Sequence, residues 1–318
     1  MKLIIQIPCY NEEHTLEPVI ADLPREIPGI DTIEFLIIDD GSTDRTIETA
    51  RRLGVHHILP LPYNQGLARA FSAGLRACLE RGADIIVNTD GDNQYQGACI
   101  PDLVAPILQG QADIVVGARP IESIAHFSWC KKKLQRLGSS IVRRFSGTDV
   151  PDTTSGFRAY SAHAAATLHV FNRYTYTLET IIQAGASGLR ITHVPIGVNP
   201  KTRESRLISS VHRYIFRSTA IILRSYITYK PLRTFCYFAL LPGLIGLALC
   251  LRFLYFYFHG EGGHVQSLIL AAILLILAFQ LFALGILADL LATNRRLLQE
   301  ELAASRRRSL PPKSHNRA

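Results

Sequence analysis

Residues 83–92 read Ala-Asp-Ile-Ile-Val-Asn-Thr-Asp-Gly-Asp, a short apolar run that closes on two carboxylates. The run is rich in branched side chains and is bounded by turn residues, which is typical of a buried β-strand. Asp90 and Asp92 follow at the carboxyl end of that strand, where open α/β sheets bind their ligands. Mg²⁺ and Mn²⁺ prefer oxygen ligands and are commonly shared with substrate phosphates. The segment therefore predicts a site for Mg²⁺ or Mn²⁺, with Gln94 completing the ligand shell directly or through water.

The sequence on either side of this segment alternates strands with helices. Strands are predicted at residues 3–7, 33–38, 55–59 and 113–117, and helices from residue 15, over 45–53 and from 64 to about 81. Ser42 or Thr43 is predicted to cap the second helix. This alternation predicts an α/β fold with a mostly parallel sheet flanked by helices. Arg119 ends the strand at 113–117, where its guanidinium would contact one of the phosphate groups of the substrates.

The C-terminal third is much more apolar than the rest. Residues 235–258 and 265–291 are each long enough to cross a hydrocarbon core of roughly 30 Å, and a connector of six residues joins them. They predict a two-helix transmembrane hairpin. Lys and Arg precede the first span and follow the second, which predicts that both termini are cytoplasmic. Arg252 lies inside the first span, where it either reaches the outer interface or pairs with Asp289.

Charge and cysteine content indicate which partners and which cellular compartment to expect. The net charge is +8, and much of the excess lies in the tail that begins at Arg295. That tail either attracts anionic lipid headgroups or is a solvated tail that helps to fix the topology. No nucleic-acid-reading motif accompanies the charge, so we expect no nucleic-acid partner. The six Cys form no Cys-x-x-Cys pair, which is consistent with reduced thiols and a domain that faces the cytosol.

Several motifs occur together in a fixed order. They are Pro8-Cys9-Tyr10-Asn11-Glu12-Glu13, Asp39-Asp40-Gly41-Ser42-Thr43-Asp44, Asn64-Gln65-Gly66, Asp90-Gly91-Asp92-Asn93-Gln94, Gly117-Ala118-Arg119, Ser155-Gly156-Phe157-Arg158 and Arg203-Glu204-Ser205-Arg206-Leu207. In order and spacing they resemble the family 2 glycosyltransferases of GT-A (Rossmann-like) fold. Within that family the chain looks most like the polyprenol-phosphate hexosyltransferases of the dolichol-phosphate mannose synthase type. The resemblance covers about residues 3–210.

The resemblance implies a role for each group of residues. Pro8, Tyr10, Glu12 and either Asp39 or Asp40 would hold the nucleoside, and Asp90, Gly91, Asp92 and Gln94 would hold the metal and the donor diphosphate. Lys201 and Arg203 would close over that diphosphate on a mobile loop. Lys132 and Arg136, at i and i+4 of a predicted helix, would bind the phosphate of a lipid acceptor. Glu179 falls where members with hydroxyl acceptors keep a catalytic base, and here it either serves as that base or orients its neighbours.

The predicted order along the chain is a glycosyltransferase domain (1–207), interfacial amphipathic helices (208–233), the transmembrane hairpin (234–292) and a basic cytoplasmic tail (293–318). The expected activity is inverting, metal-dependent transfer of a hexose from a nucleotide diphosphate sugar of the GDP-mannose or UDP-glucose type to a polyprenyl phosphate. The expected location is a bacterial inner membrane. Two alternatives remain: a membrane glycosyltransferase with a hydroxyl acceptor, and a non-catalytic membrane scaffold. The sequence leaves open the base, the sugar, the lipid chain and whether the protein forms homo-oligomers.

Overall fold

A computed structural model describes residues 1–120, 139–140, 142–143, 147–170, 175–200, 224, 227–260, 263 and 265–308 of the chain. The chain divides into two compact units. The first comprises Met1–Ile222 together with Leu302–Ala318, and the second comprises Leu223–Glu301. Each unit is described below by itself.

The described part of the first unit is an α/β domain. Its elements are β1 (Lys2–Cys9), α1 (Leu16–Asp22), β2 (Thr32–Asp39), α2 (Thr46–Arg52), β3 (His57–Pro60), α3 (Leu67–Glu80), β4 (Ile85–Asn88), a short 3₁₀ turn (Gly97–Cys99), α4 (Ile100–Leu108), β5 (Ile114–Ala118), β6 (Arg158–Ser161), α5 (Ala162–Thr167), α6 (Thr177–Ala186) and β7 (Ile191–Pro195). The seven strands form one sheet in the order β3-β2-β1-β4-β6-β5-β7. The predicted mostly parallel sheet with flanking helices is confirmed.

The order of the strands creates a crevice at one edge of the sheet. β1, β2 and β3 pair in parallel on one side, β4 pairs in parallel with the other side of β1, and β6 runs antiparallel between β4 and β5. The chain therefore reverses its direction of progress across the sheet between β1 and β4. Open α/β sheets bind ligands at such a switch point, outside the carboxyl ends of the strands. The segment after β4 that carries Asp90 and Asp92 begins there.

The start of α2 differs from the prediction. The helix begins at Thr46 with Arg45 as its N-cap, and no side chain caps it from that position, so the prediction of Ser42 or Thr43 is wrong. The Asp44 carboxylate instead accepts the backbone N–H of Thr46 at 3.0 Å. Ser42 has a different hydrogen-bond partner: its Oγ accepts the backbone N–H of Asn11 at 2.9 Å.

A partly buried charge cluster joins β1, β2 and β3 and makes stability depend on pH. Glu34 contacts Lys2 Nζ at 2.8 Å and His57 Nε2 at 2.7 Å. Burial opposes ionisation of this carboxyl, but the contacts with Lys2 and His57 outweigh it and hold the pKa of Glu34 below its usual range. Because the unfolded chain binds this proton more readily, the contribution is present above the unfolded pKa and is lost as the pH falls through the folded pKa.

We expect Glu34→Gln to lower stability near neutral pH by about 1 kcal/mol or less, since such partly exposed pairs contribute little. Unfolding of both proteins followed at pH 7 and at pH 3.5 checks this. The difference between them should shrink at the lower pH. A difference that grows on acidification would contradict the assignment.

The second unit contains the long apolar helix α7 (Pro231–Phe258) and most of a second one, α8 (Val265–Arg308). The segments Pro231–Phe258 and Val265–Arg295 have mean hydropathies of 2.1 and 2.8 and are long and apolar enough to cross a membrane. Small residues on α8 meet α7 at intervals of seven positions: Ala271 and Ala278 lie against Gly246 and Gly243, and Gly285 lies against Phe235. The two helices therefore pack antiparallel along a close seam, and they expose large apolar side chains elsewhere.

The position of Arg252 decides between its two predicted environments. Its Nη1 lies 3.4 Å from Ser267 Oγ, near the turn between the two helices. Asp289 is 22 residues further along α8, which is roughly 33 Å at a rise of 1.5 Å per residue. The antiparallel packing therefore excludes the predicted pair with Asp289 and leaves Arg252 at the end of the hairpin that carries the turn.

Candidate active site

The loops that follow β1 and β2 are tied into one wall of the crevice. Asn11 donates its backbone N–H to Ser42 Oγ and accepts the N–H of Thr43 on its side-chain oxygen at 2.8 Å. The backbone N–H of Glu12 donates to Thr46 Oγ1 at 2.8 Å. The Asn11 backbone lies in the left-handed region, with φ of 56°. These contacts fix the predicted nucleoside-binding segment, in which Pro8 and Glu12 are buried and Tyr10 is exposed.

Asp39 and Asp40 are adjacent in the chain and have different environments. Both oxygens of Asp40 are engaged, because they accept the backbone N–H groups of Gln65 and Gly66 at 2.8 and 2.9 Å. Burial raises the pKa of Asp40, and this effect outweighs the two hydrogen bonds, which by themselves would lower it. Asp39 accepts one N–H, from Ser42, while its Oδ1 is buried and has no hydrogen-bond partner in the described part of the chain. Asp39 therefore offers an acceptor atom to a ligand, whereas Asp40 anchors the start of α3.

Gly41 allows the loop after β2 to approach the segment before α3. It has φ of +70°, and a Cβ at this position would lie 2.6 Å from the backbone carbon of Tyr63. Only glycine satisfies both the left-handed backbone and this close approach. The wall that holds Asp39 and Asp40 is consequently fixed by contacts 20 or more residues apart in sequence.

The loop after β4 presents Asp92 in a fixed orientation. Gln94 donates its side-chain N–H to Asp92 Oδ2 at 2.7 Å and its backbone N–H to Asp92 Oδ1 at 3.2 Å. The segment after β7 supports the same loop, because Asn199 donates its backbone N–H to Gln94 O at 2.9 Å and its side-chain N–H to Asn93 O at 3.1 Å. Gln94 thus orients Asp92, and the segment after β7 contacts the backbone of the loop that carries it.

Several carboxylates converge where this loop meets the loop after β1. A Cβ on Gly91 would lie 3.2 Å from Cys9 Sγ and 3.3 Å from Glu12 Cγ, so the two loops are in contact. Burial, together with the negative charges of Glu12, Asp39, Asp44 and Asp90, raises the pKa of the Cys9 thiol well above its usual range. Cys9 therefore stays protonated, and the crevice is negatively charged. A divalent cation would offset this charge.

The donor set fits Mg²⁺ or Mn²⁺. Asp90 and Asp92 supply carboxylate oxygens on one short loop, and these ions are usually bound through one or two carboxylates together with substrate phosphates. Within the described ranges, no group of three or more His, Cys, Asp or Glu side chains is placed to hold a metal ion.

Arg119 is held by a buried carboxylate. Its Nε lies 2.7 Å from Asp152 Oδ2, and its second terminal nitrogen lies 3.1 Å from Asp152 Oδ1 and 3.0 Å from Thr154 Oγ1. Asp152 is fully buried. Burial alone would raise the pKa of Asp152, but the Arg119 guanidinium and the Thr154 hydroxyl outweigh it and lower that pKa. The geometry therefore gives Arg119 a fixed position, and its predicted contact with a substrate phosphate stays a prediction.

The remaining predicted residues are placed as follows. Glu179 lies in the first turn of α6 and is buried. Lys132, Arg136, Lys201 and Arg203 lie outside the described residues, as do most of the predicted interfacial helices at 208–233. Arg158, in the motif Ser155-Gly156-Phe157-Arg158, is fully buried and donates to the carbonyls of Ser155 and Thr153 and to Thr180 Oγ1.

Four polar residues near Asp90 were not predicted from the sequence. Gln6, Asn88, Tyr95 and Tyr176 are buried and form a hydrogen-bond network around Gly156. Gln6 and Asn88 could have been predicted to have partners in the core, because each is a polar residue in an otherwise apolar strand and buried polar groups are hydrogen-bonded. Nothing in the sequence distinguishes the two tyrosines from ordinary core residues, because aromatic residues are common in cores.

Comparisons with known proteins agree with this geometry. The family model described as "Glycosyl transferase family 2" matches residues 4–168, which is more than half of the chain. The chain belongs to glycosyl transferase family 2. This family 2 glycosyltransferase is 30% identical over 206 residues to the undecaprenyl-phosphate mannosyltransferase of Micrococcus luteus, a match that covers 62% of this chain and 83% of that one.

One further relative and one solved structure are similar to the glycosyltransferase. It is 31% identical over 212 residues to the UDP-N-acetylglucosamine–dolichyl-phosphate N-acetylglucosaminyltransferase of Methanococcus voltae, covering 60% of this chain and 82% of that protein. Its fold is similar to that of glucosyl-3-phosphoglycerate synthase from Mycobacterium tuberculosis in complex with Mn²⁺, UDP-glucose and phosphoglyceric acid. That match has a TM-score of 0.57 and 22% identity and covers 71% of this chain and 79% of the other. At this identity the match establishes the GT-A fold alone.

Proposed function

We propose that this glycosyltransferase transfers a hexose from a nucleotide diphosphate sugar to a polyprenyl phosphate, in the presence of Mg²⁺ or Mn²⁺ and at the cytoplasmic face of a membrane. The observation that carries the proposal is the crevice between β1 and β4, which brings Asp39, Asp90 and Asp92 to one edge of the sheet. Two helices long enough to cross a membrane follow in the same chain. The relatives named for undecaprenyl- and dolichyl-phosphate transfer support the acceptor.

The nucleoside would lie along the wall formed by the loops after β1 and β2. The buried Asp39 Oδ1 has no partner among the described residues, so a ribose hydroxyl or a base N–H could donate to it without displacing a protein contact. Tyr10 is exposed beside it, and its ring could pack on the base. Of the two residues predicted to bind the nucleoside, we therefore assign Asp39 to the donor, while Asp40 holds the loop before α3.

The diphosphate would lie over the loop after β4. Asp90 and Asp92 would hold the cation, and Gln94 would keep Asp92 oriented. A bound divalent cation supplies Lewis-acid stabilisation of the charge on the leaving nucleoside diphosphate. Asn199 braces the same loop, so Lys201 and Arg203 lie two and four residues beyond a contact with the metal-binding segment. We propose that they bind the diphosphate and exclude water from the donor.

The acceptor would react without a protein base. A phosphate monoester is largely ionised near pH 7, since its second pKa is about 6. Its oxygen would form the bond to the anomeric carbon while the bond from that carbon to the diphosphate breaks, with inversion of configuration. Lys132 and Arg136 are proposed to bind the acceptor phosphate. Glu179 then has no proton to remove and is proposed to orient its neighbours.

The proposed location follows from the C-terminal helices. With residues 231–258 and 265–295 in a membrane, the Lys and Arg residues that flank them favour a cytoplasmic position for both ends. The end of the hairpin that contains Arg252 and the turn would then lie at the opposite interface, where a long cationic side chain can reach water.

A transfer assay tests the proposal. Full-length protein in detergent would be given undecaprenyl or dolichyl phosphate and a panel of radiolabelled GDP- and UDP-sugars, with Mn²⁺, with Mg²⁺ or with EDTA. We expect metal-dependent transfer of label to the lipid from one donor. Equal transfer in EDTA would overturn the metal assignment. Binding of a nucleotide without transfer to any polyprenyl phosphate would overturn the acceptor and favour a hydroxyl acceptor with Glu179 as base, and binding of no nucleotide would favour a scaffold.

A further inference from the structure

Gly156 lies directly against the carboxylate of Asp90. β4 and β6 are antiparallel with Asn88 opposite Arg158, so the same register carried two residues further places Asp90 opposite Gly156. A Cβ on Gly156 would lie 3.2 and 3.3 Å from the two oxygens of Asp90 and 2.8 Å from the hydroxyl of Tyr176. The position of the Gly156 backbone therefore limits where the Asp90 carboxylate can lie.

A buried network holds this backbone on both sides. Asn88 Nδ2 donates to Gly156 O at 2.9 Å and to the Tyr176 hydroxyl at 2.8 Å, and that hydroxyl donates to Gly156 O at 3.2 Å. The Gly156 N–H donates to the Tyr95 hydroxyl at 3.0 Å. Both polar groups of the Gly156 backbone are thus engaged by side chains from other elements.

Neighbouring elements fix the orientation of the network. Gln6 lies opposite Asn88 on β1 and donates its side-chain N–H to Asn88 Oδ1 at 2.8 Å, so the Asn88 amide must direct its own N–H groups towards Gly156 and Tyr176. The Tyr176 ring stacks on Phe71 of α3, with centroids 3.8 Å apart and planes 4° apart. Gln6, Asn88 and Tyr176 are fully buried, where water does not compete for these hydrogen bonds.

We propose that Asn88 and Tyr176 are positioning residues for metal binding: they hold the Gly156 backbone against Asp90 and so fix the orientation of this carboxylate as a ligand. The inference rests on the proposed function, in which Asp90 holds the cation. Groups that orient metal ligands typically change metal affinity or activity by 10–100-fold when they are removed.

Tyr176→Phe is the most direct test, because it removes one hydroxyl and keeps the ring on Phe71. Tyr160→Phe is the matched control: Tyr160 is also fully buried and packs on Phe71, with centroids 5.7 Å apart, but its hydroxyl makes no contact with Gly156 in the described structure. Asn88→Ser is a second variant, whose shorter side chain does not reach Gly156. All are measured in the full-length protein in detergent.

The readout is binding of Mn²⁺, from the electron paramagnetic resonance signal of the free ion during titration, with GDP and separately with UDP present. We expect Tyr176→Phe and Asn88→Ser to weaken Mn²⁺ binding by about tenfold or more, while Tyr160→Phe binds as the wild type does. Thermal unfolding of the metal-free proteins measures any general loss of stability.

Three results would separate the inference from the function on which it rests. If Asp90→Asn loses Mn²⁺ binding while Tyr176→Phe and Asn88→Ser bind as the wild type does, the positioning role is overturned and the metal site stands. If Asp90→Asn binds Mn²⁺ as tightly as the wild type, or the wild type binds none, the metal assignment fails and the inference fails with it. If Tyr160→Phe weakens binding as much as Tyr176→Phe, the effect is general to the buried rings and the positioning role is overturned.

Discussion

Asp92→Asn is expected to lower the turnover of sugar transfer by about 10³-fold or more. The substitution keeps the size of the side chain, and Gln94 can turn its amide to preserve their contact, but the carboxylate charge that would hold the cation is lost. A metal ion that stabilises a leaving diphosphate contributes several kcal/mol to the transition state, and each 1.36 kcal/mol is tenfold in rate. The measurement is the initial rate of label transfer to polyprenyl phosphate at saturating donor, over a range of Mn²⁺ concentrations.

Asp102→Asn is the matched control for this prediction. Asp102 lies in the first turn of α4 and is exposed, so the same chemical change there leaves the crevice intact. We expect its rate to equal that of the wild type. Wild-type turnover in Asp92→Asn, with the metal requirement unchanged, would show that Asp92 is not a ligand.

Gly156→Ala is expected to lower transfer by about 100-fold while most of the protein still folds. The added methyl group would lie 2.8 Å from the Tyr176 hydroxyl and 3.2 Å from an oxygen of Asp90, so at least one of these groups must move. Overpacking of this kind typically costs 1–3 kcal/mol of stability. The loss of activity should exceed the fraction of protein that unfolds, because a misplacement of about 1 Å in a reacting assembly can cost about 10²-fold in rate even when the protein stays folded. Transfer rate and thermal midpoint are measured on the same preparation.

Gly117→Ala is the control for Gly156→Ala, because it crowds a nearby strand without pressing on the Asp90 carboxylate. A methyl group at this position on β5 would lie 3.0 Å from Ile196 and 3.1 Å from Phe157, which is similar crowding against apolar side chains. We expect a comparable loss of stability and a smaller loss of transfer than in Gly156→Ala. Equal losses of transfer in the two variants would mean that crowding near β6 is sufficient and that Asp90 is not specifically affected.

The strands could be predicted from the sequence because their buried apolar runs are local. The strand before Asp90 was predicted over 83–89 and is found at Ile85–Asn88, and the first strand was predicted over 3–7 and is found at Lys2–Cys9. The alternation with helices then indicated the mostly parallel sheet. The antiparallel β6 was not predicted, because the pairing of a four-residue strand depends on its neighbours in the sheet rather than on its own residues.

Side-chain partners distant in sequence could not be predicted from patterns of nearby residues. The predicted cap of α2 was wrong because Ser42, a favourable capping residue, instead binds Asn11 in the loop after β1. The choice between Asp39 and Asp40 was open because both residues end the same strand, and it depends on backbone groups at residues 65 and 66. Similarly, the environment of Arg252 was decided by the antiparallel packing of α7 on α8.

By itself, the sequence determined the α/β class, the two apolar helices and the carboxylates at the end of β4, because hydrophobic periodicity and turn residues act over a few positions. The tertiary structure decided which carboxylate is free to meet a ligand, which residues contact Asp92 and Gly156, and how the apolar helices pack. The physical reason is that a buried polar group is defined by its hydrogen-bond partners, and here those partners come from segments up to 88 residues away.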